Sequence, residues 1–225
     1  MSNKTTRLLA LIICIIIFVI YYEYKNVSYY RNIPICNIDE YLRTAKTGDI
    51  LFTKWNYVRP KIKYDLYTLN LIQTITTKIP FSHIAVLIRY SDIPQQYRDL
   101  WNLKEEKDKV YVYSSEGKEN FDLITKKIKE GNSLRCAEDY MKKYNGIITC
   151  MSVLDNSLIN DGNITNVCEY MHKHRNRLFN RNFLRYFNLK PKIWENTYNP
   201  AKALCVETCY DFLKKLALYD VAGIS

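Results

Sequence analysis

An α+β domain carried behind an N-terminal apolar helix is the fold class that three observations predict. Runs of strand length cluster in the first two thirds of the chain, amphipathic helical spacings fall mostly later, and one long uncharged run stands near the N-terminus. At 225 residues the chain can form one domain with a sizeable core plus a short appendage. Its apolar fraction of 48% and charged fraction of 25% exclude a largely disordered protein.

Leu8 to Tyr22 reads LLALIICIIIFVIYY, with Lys4 and Arg7 before it and Glu23 and Lys25 after it. As a helix it covers about 22 Å, and snorkelling of Arg7 extends this toward the roughly 30 Å of a hydrocarbon core. The closing tyrosines suit a membrane interface. No small-x-small site follows, which argues against a cleaved signal peptide. β-branched residues on every face argue for lipid over a protein core. Residues 1–25 are therefore expected to form a single-pass membrane anchor whose orientation the evenly split flanking charges leave open. Residues 26–45 are expected to form a juxtamembrane linker with a short helix at Ile38 to Thr44, and 46–225 the globular domain.

Within that domain four strands are expected: Asp49 to Trp55, His83 to Tyr90, Val110 to Ser114 and Ile147 to Leu154. Ile164, Val167, Cys168 and Met171 keep helical spacing, as do Cys209, Phe212, Leu213 and Leu216. Shorter helices are expected over Gln95 to Leu103 and Ala137 to Tyr144.

Lys+Arg 33 against Asp+Glu 23 gives a formal charge of +10, which favours acidic partners. The chain is also rich in Lys, Asn, Ile and Tyr with only 6 Gly, a skew typical of AT-rich coding, so the charge is discounted as evidence of a partner. Seven cysteines, odd in number and irregularly spaced, do not form a disulfide framework, and reduced thiols are expected. No CxxC pair occurs, and the His172-Lys173-His174 run has no carboxylate or cysteine at ligand spacing. No metal or other cofactor is expected.

The chemistry-bearing candidates are a cysteine and a histidine. Asn199-Pro200-Ala201-Lys202 reads as a loop, which puts Cys205 in the first turn of the last helix. There a partial positive charge and free N–H groups stabilise a thiolate and can serve as an oxyanion hole. Cys209, one turn on, joins the apolar face and reads as packing. Of the three histidines, His83 opens a strand where its ring can face a cleft, whereas His172 and His174 sit in a basic run expected on a solvated helix face. Lys173 to Lys192 interleaves basic residues with Phe179, Phe183, Tyr186 and Phe187. That segment is expected to be an amphipathic helix, with an anionic-lipid or single-stranded nucleic-acid surface as its alternative.

The ordered segments GDILF (48–52), SHIAVLI (82–88), VYSSEG (112–117) and CVETCYDF (205–212) resemble the permuted papain-like group. That group contains the YiiX-like branch of NlpC-type hydrolases, their poxviral relatives and lecithin:retinol acyltransferase. The resemblance covers about residues 48 to 218. It implies a circularly permuted papain-like fold and a thiol hydrolase (peptidase or amidase) or acyltransferase, with Cys205 as nucleophile and His83 as general base. It also implies Glu116 as the third, orienting group, with Ser115 as the alternative. Glu207 matches the Glu of Cys-x-Glu and is expected to cap the helix, and Asp49 to form a turn. Phe179-Asn180 is the nearest counterpart of an aromatic-Asp/Asn pair that helps line the cleft in relatives. The implied substrate is a peptide, a peptidoglycan-like amide or a lipid ester. The implied setting is a host or virion membrane, and nucleic acid is not the expected partner.

Overall fold

The computed structural model describes residues 13–14, 17–18, 21, 36–55, 81, 83–104, 108–144, 146–153, 159–180 and 201–218. Two compact units divide the chain, Met1–Asn37 and Ile38–Ser225. In the first, Ile13, Cys14, Ile17, Phe18 and Tyr21 are helical and exposed; the rest of the expected anchor and residues 26–35 of the expected linker lie outside the described residues. Among the described residues no helix is long and apolar enough to cross a membrane.

The second unit is an α+β domain. Its elements in chain order are α1 (Ile38–Thr44), β1 (Ile50–Trp55), β2 (His83–Arg89), α2 (Gln95–Leu100), β3 (Val110–Asp122), β4 (Lys127–Cys136), α3 (Ala137–Lys143), β5 (Gly146–Met151), α4 (Asp161–Lys173), β6 (Leu178–Phe179), β7 (Lys202–Ala203) and α5 (Cys205–Lys215). The first five strands form one antiparallel sheet in the order β4-β3-β2-β1-β5. Two-residue strands β6 and β7 pair in parallel beside it.

Both faces of this sheet are covered, which is why β2 reads as an unbroken apolar run. On one face Val86, Ile88, Tyr111, Tyr113 and Leu134 pack against Ile164, Val167, Cys168 and Met171 of α4 and Cys209 and Phe212 of α5. On the other, Leu51, Ala85, Leu87, Val110 and Val112 meet Ala137, Tyr140 and Met141 of α3, with Ile38, Tyr41 and Leu42 of α1 closing the edge. The helix expected inside the linker therefore belongs to the domain, which begins at Ile38 and not at Lys46. Asp49, fully buried, forms the turn into β1 by accepting from the Lys46 N–H at 2.9 Å, and it accepts from the Val153 N–H at 2.8 Å.

β3 and β4 depart most from the sequence expectation. β3 runs on to Asp122 instead of stopping at Ser114, and β4 was not expected at all. Its sequence KIKEGNSLRC has no period-2 apolar pattern, because it buries polar residues: Asn132 and Ser133 are covered as completely as Leu134. Between Glu116 and Asn120 the register shifts, so that Glu116 faces Gly131 but Asn120 faces Lys129. Gly131 has φ 92, and a Cβ there would lie 2.1 Å from the Arg177 carbonyl oxygen. The tight passage of residues 177–178 beside this irregularity admits glycine only.

Candidate active site

α5 begins at Cys205. Its N-cap, Leu204, offers no side-chain acceptor to the first turn. The reciprocal half of a cap is present: the Leu204 N–H donates to Glu207 Oε2 at 2.8 Å. Glu207 thus has a capping role, and in the first turn the Val206 N–H bonds the Cys205 sulfur. α5 is held to the sheet by Phe212 against Tyr113, with ring centroids 6.0 Å apart. A buried polar chain adds to this: the Thr208 hydroxyl donates to Asn132 Oδ1 at 3.0 Å, and Asn132 Nδ2 donates to the Tyr113 hydroxyl at 3.1 Å.

His83 is the first residue of β2, opposite Thr53 of β1. The β2–β3 register sets Val86 opposite Tyr113; continued to the strand end, it sets His83 opposite Glu116. The two side chains share a face of the sheet, and His83 Nε2 lies 3.3 Å from Glu116 Oε1, within ion-pair range but off the line of a hydrogen bond. With Nε2 turned to the carboxylate, Nδ1 is the nitrogen left for the thiol.

The structure brings Cys205, His83 and Glu116 together. Cys205 is 3% exposed, and the His83 and Glu116 side chains are 11% and 17% exposed. Burial works against a charged Cys205, but the adjacent imidazolium, a hydrogen bond from His83 and the backbone N–H groups of Ile84 and Val206 outweigh it, and the thiol pKa falls below its usual value. Burial likewise opposes a charged His83. The thiolate and the Glu116 carboxylate overcome it and raise the imidazole to about 9. Burial alone would raise Glu116; the Arg135 guanidinium and His83 instead hold it below the ordinary carboxylate range. Cys209 is the contrast within the same helix, its thiol pushed well up by burial and by the neighbouring Cys205.

Sequence reasoning missed four polar partners. Arg135 of β4 forms a two-pronged ion pair with Glu116, with Nη1 3.3 Å from Oε2 and Nη2 closer still to Oε1. Nη2 also donates to the Ser114 hydroxyl at 2.9 Å, and Ser114 donates on to Glu116 Oε1 at 3.3 Å. Asn120 Nδ2 donates to Oε2 at 3.0 Å. Asn132, across from Ser115, anchors the helix that carries Cys205. Their signal is the hairpin register, which no local pattern reveals. Ser115 is fully buried, and strand alternation turns it to the face opposite Glu116.

Phe179 pairs with Ala203, two residues before Cys205, and its ring lies against Gly117, where a Cβ would come within 2.9 Å. Asn180 beside it is buried. Phe179 thus lies between Gly117, next to Glu116, and the strand that leads to Cys205. His172 is not simply solvated as expected: it accepts from Trp101 Nε1 at 3.3 Å, and the His174 ring packs on Tyr170 at 4.7 Å. Arg177, also in the basic run, is buried and donates to the Lys202 carbonyl at 3.2 Å, steadying β7 just ahead of Cys205. The helix expected over Lys173 to Lys192 is not formed in its described part, since α4 ends at Lys173 and Leu178–Phe179 pair as β6, while residues 181–192 lie outside the described residues. None of the seven cysteines, all of them among the described residues, is in a disulfide, and among the described residues no cluster of His, Cys, Asp and Glu is arranged to hold a metal.

Compared with family models and with curated proteins, the chain matches none.

Proposed function

We propose that this chain is a membrane-anchored cysteine hydrolase of permuted papain-like type, with Cys205 as nucleophile, His83 as general base and Glu116 orienting the imidazole. The observation that carries this reading is the meeting of a helix-first-turn thiol with a buried histidine whose other nitrogen faces a clamped carboxylate. A cysteine that only filled the core would resemble Cys168, whose burial pushes its thiol up to about 12.

In the proposed cycle His83 takes the Cys205 proton and the thiolate attacks an acyl carbonyl. The carbonyl π electrons move to oxygen, which backbone N–H groups at the start of α5 stabilise. Collapse of the tetrahedral adduct expels the leaving amine or alkoxide, which takes the proton from the imidazolium, and a thioester remains. His83 then deprotonates water, whose attack releases the acid and restores the thiol. If an alcohol or amine replaces water, the same site is an acyltransferase. The Leu8 to Tyr22 run is the proposed anchor, and the substrate class is an amide or ester acyl bond of a peptide, a peptidoglycan-like polymer or a lipid.

The test is acyl trapping. The full chain is treated with p-nitrophenyl acetate, quenched in acid and mapped by mass spectrometry. A hydroxylamine-labile acetyl group on Cys205, absent from Cys205→Ala and strongly reduced in His83→Ala, supports the reading. Acetylation spread over Cys36 and Cys136, and unchanged by either substitution, contradicts it.

A further inference from the structure

We propose that Arg135 is a positioning residue for the dyad: it clamps the Glu116 carboxylate against His83 and offsets its charge, so that the imidazole is oriented while staying able to exchange its proton. The role rests on the Cys205–His83 reading above.

A carboxylate beside a catalytic imidazole poses a problem when both are buried. Left alone it can rotate about its last bond, and it pulls at full strength on the imidazolium. Glu116 does neither, because both of its oxygens are engaged. Oε1 meets His83, Ser114 and Arg135, and Oε2 meets Arg135 and Asn120. Only a planar two-pronged donor can hold both oxygens while bonding Ser114 as well, and lysine lacks that geometry.

The guanidinium is itself fixed. Its side chain is 13% exposed, and its carbon lies 4.5 Å from the centre of the Tyr140 ring of α3. Packing the cation between a ring and a carboxylate sets the carboxylate's plane from two sides. Among the described residues, the charged and titratable groups facing the site are thus Cys205 and the neighbouring Cys209 from α5, His83 from β2, Glu116 from β3, Arg135 from β4 and Tyr140 from α3. Tyr140 stays neutral, burial raising its hydroxyl well above the usual value. Thiolate, imidazolium, carboxylate and guanidinium sum to zero charge. Arg135 is the member that makes the sum close.

The experiment reads the pH dependence of Cys205 alkylation by iodoacetamide in the full chain. Arg135→Gln is expected to move the acid limb of the profile upward by about one pH unit, so that labelling on that limb slows about tenfold. Arg135→Lys, which returns the charge without the fork, is expected to recover part of the loss. In the Glu116→Gln background, Arg135→Gln is expected to add less than about twofold, since no carboxylate remains to be held. An acid limb that stays in place in Arg135→Gln, or an effect that is fully additive with Glu116→Gln, overturns the proposal and leaves Arg135 as packing. If Arg135→Gln does not fold, Arg135→Lys carries the test, and an unmoved limb there is equally fatal. A wild-type Cys205 with no acid-shifted limb defeats the dyad itself, an outcome distinct from a wild-type limb that ignores Arg135.

Discussion

At the scale of single residues, the difference between Cys205 and Cys209 is one helical turn. Cys205 meets an imidazole and the N–H groups of Ile84 and Val206, whereas Cys209 meets the apolar core. Composition cannot separate two buried cysteines; position relative to the helix start can, and that much was legible in the sequence. The same holds for His83, one of three histidines and the one that opens a strand. Glu116 was legible only through the resemblance to the permuted papain-like pattern, and Arg135 not at all, since its partner lies 19 residues away across a hairpin. Glu116 leads to a prediction with a definite sign. Its folded pKa is depressed, so its contribution to stability is present above the unfolded value of about 4.3 and is lost as the pH falls below it. Thermal melts from about pH 6 down to about pH 3 should therefore show a steep loss for the wild type and a flatter one for Glu116→Gln. Parallel slopes would show that Glu116 is not held as a carboxylate.

At the scale of elements, the β3–β4 hairpin supports both halves of the candidate site. One face carries Glu116 and Arg135, which address His83; the other carries Tyr113 and Asn132, which hold the helix of Cys205. Cys205 and His83 are thereby referred to one rigid pair of strands. Most elements were readable from local patterns: α4 and α5 from their i, i+3, i+4 spacing, and β2 from its apolar run. β4 was not, because its buried residues are polar and find their partners in distant elements. Removing one of those partners should cost what an unsatisfied buried group costs. Thr208→Val leaves Asn132 Oδ1 without its hydroxyl donor, and a loss of about 1–3 kcal/mol is expected by urea denaturation. Gly131→Ala should be worse than a usual surface change, at about 2 kcal/mol or more, since positive φ and the Arg177 carbonyl both oppose a Cβ. A neutral Gly131→Ala would mean that residues 177–178 do not pass where the structure puts them.

At the scale of the whole molecule, a sheet buried on both faces gives the domain two cores, and the site lies where strand β2 and helix α5 begin. The Ile38 boundary makes a further prediction. Residues 38–225 produced alone should melt cooperatively and label at Cys205 as the full chain does, because the contacts that form both cores and the site fall within that unit. A fragment that fails to fold would place part of the core in residues 1–37. The sequence announced the α+β class because apolar runs of strand length and helical spacings of period 3.6 are local signals. The strand order and the hairpin irregularity were hidden, because they depend on which runs meet.

The central claim is that Cys205 is ionised by His83, and the most direct measurement is the pH profile of its alkylation. The full chain and His83→Ala are titrated with iodoacetamide from about pH 5 to about pH 9, and the labelled sites are mapped by mass spectrometry. The account predicts that Cys205 labels faster than Cys136, stays reactive well below the usual thiol value of about 8.5, and loses that reactivity in His83→Ala, while Cys168 and Cys209 remain silent. Labelling of Cys205 that rises only near the usual thiol value, with the same profile in both proteins, would contradict it.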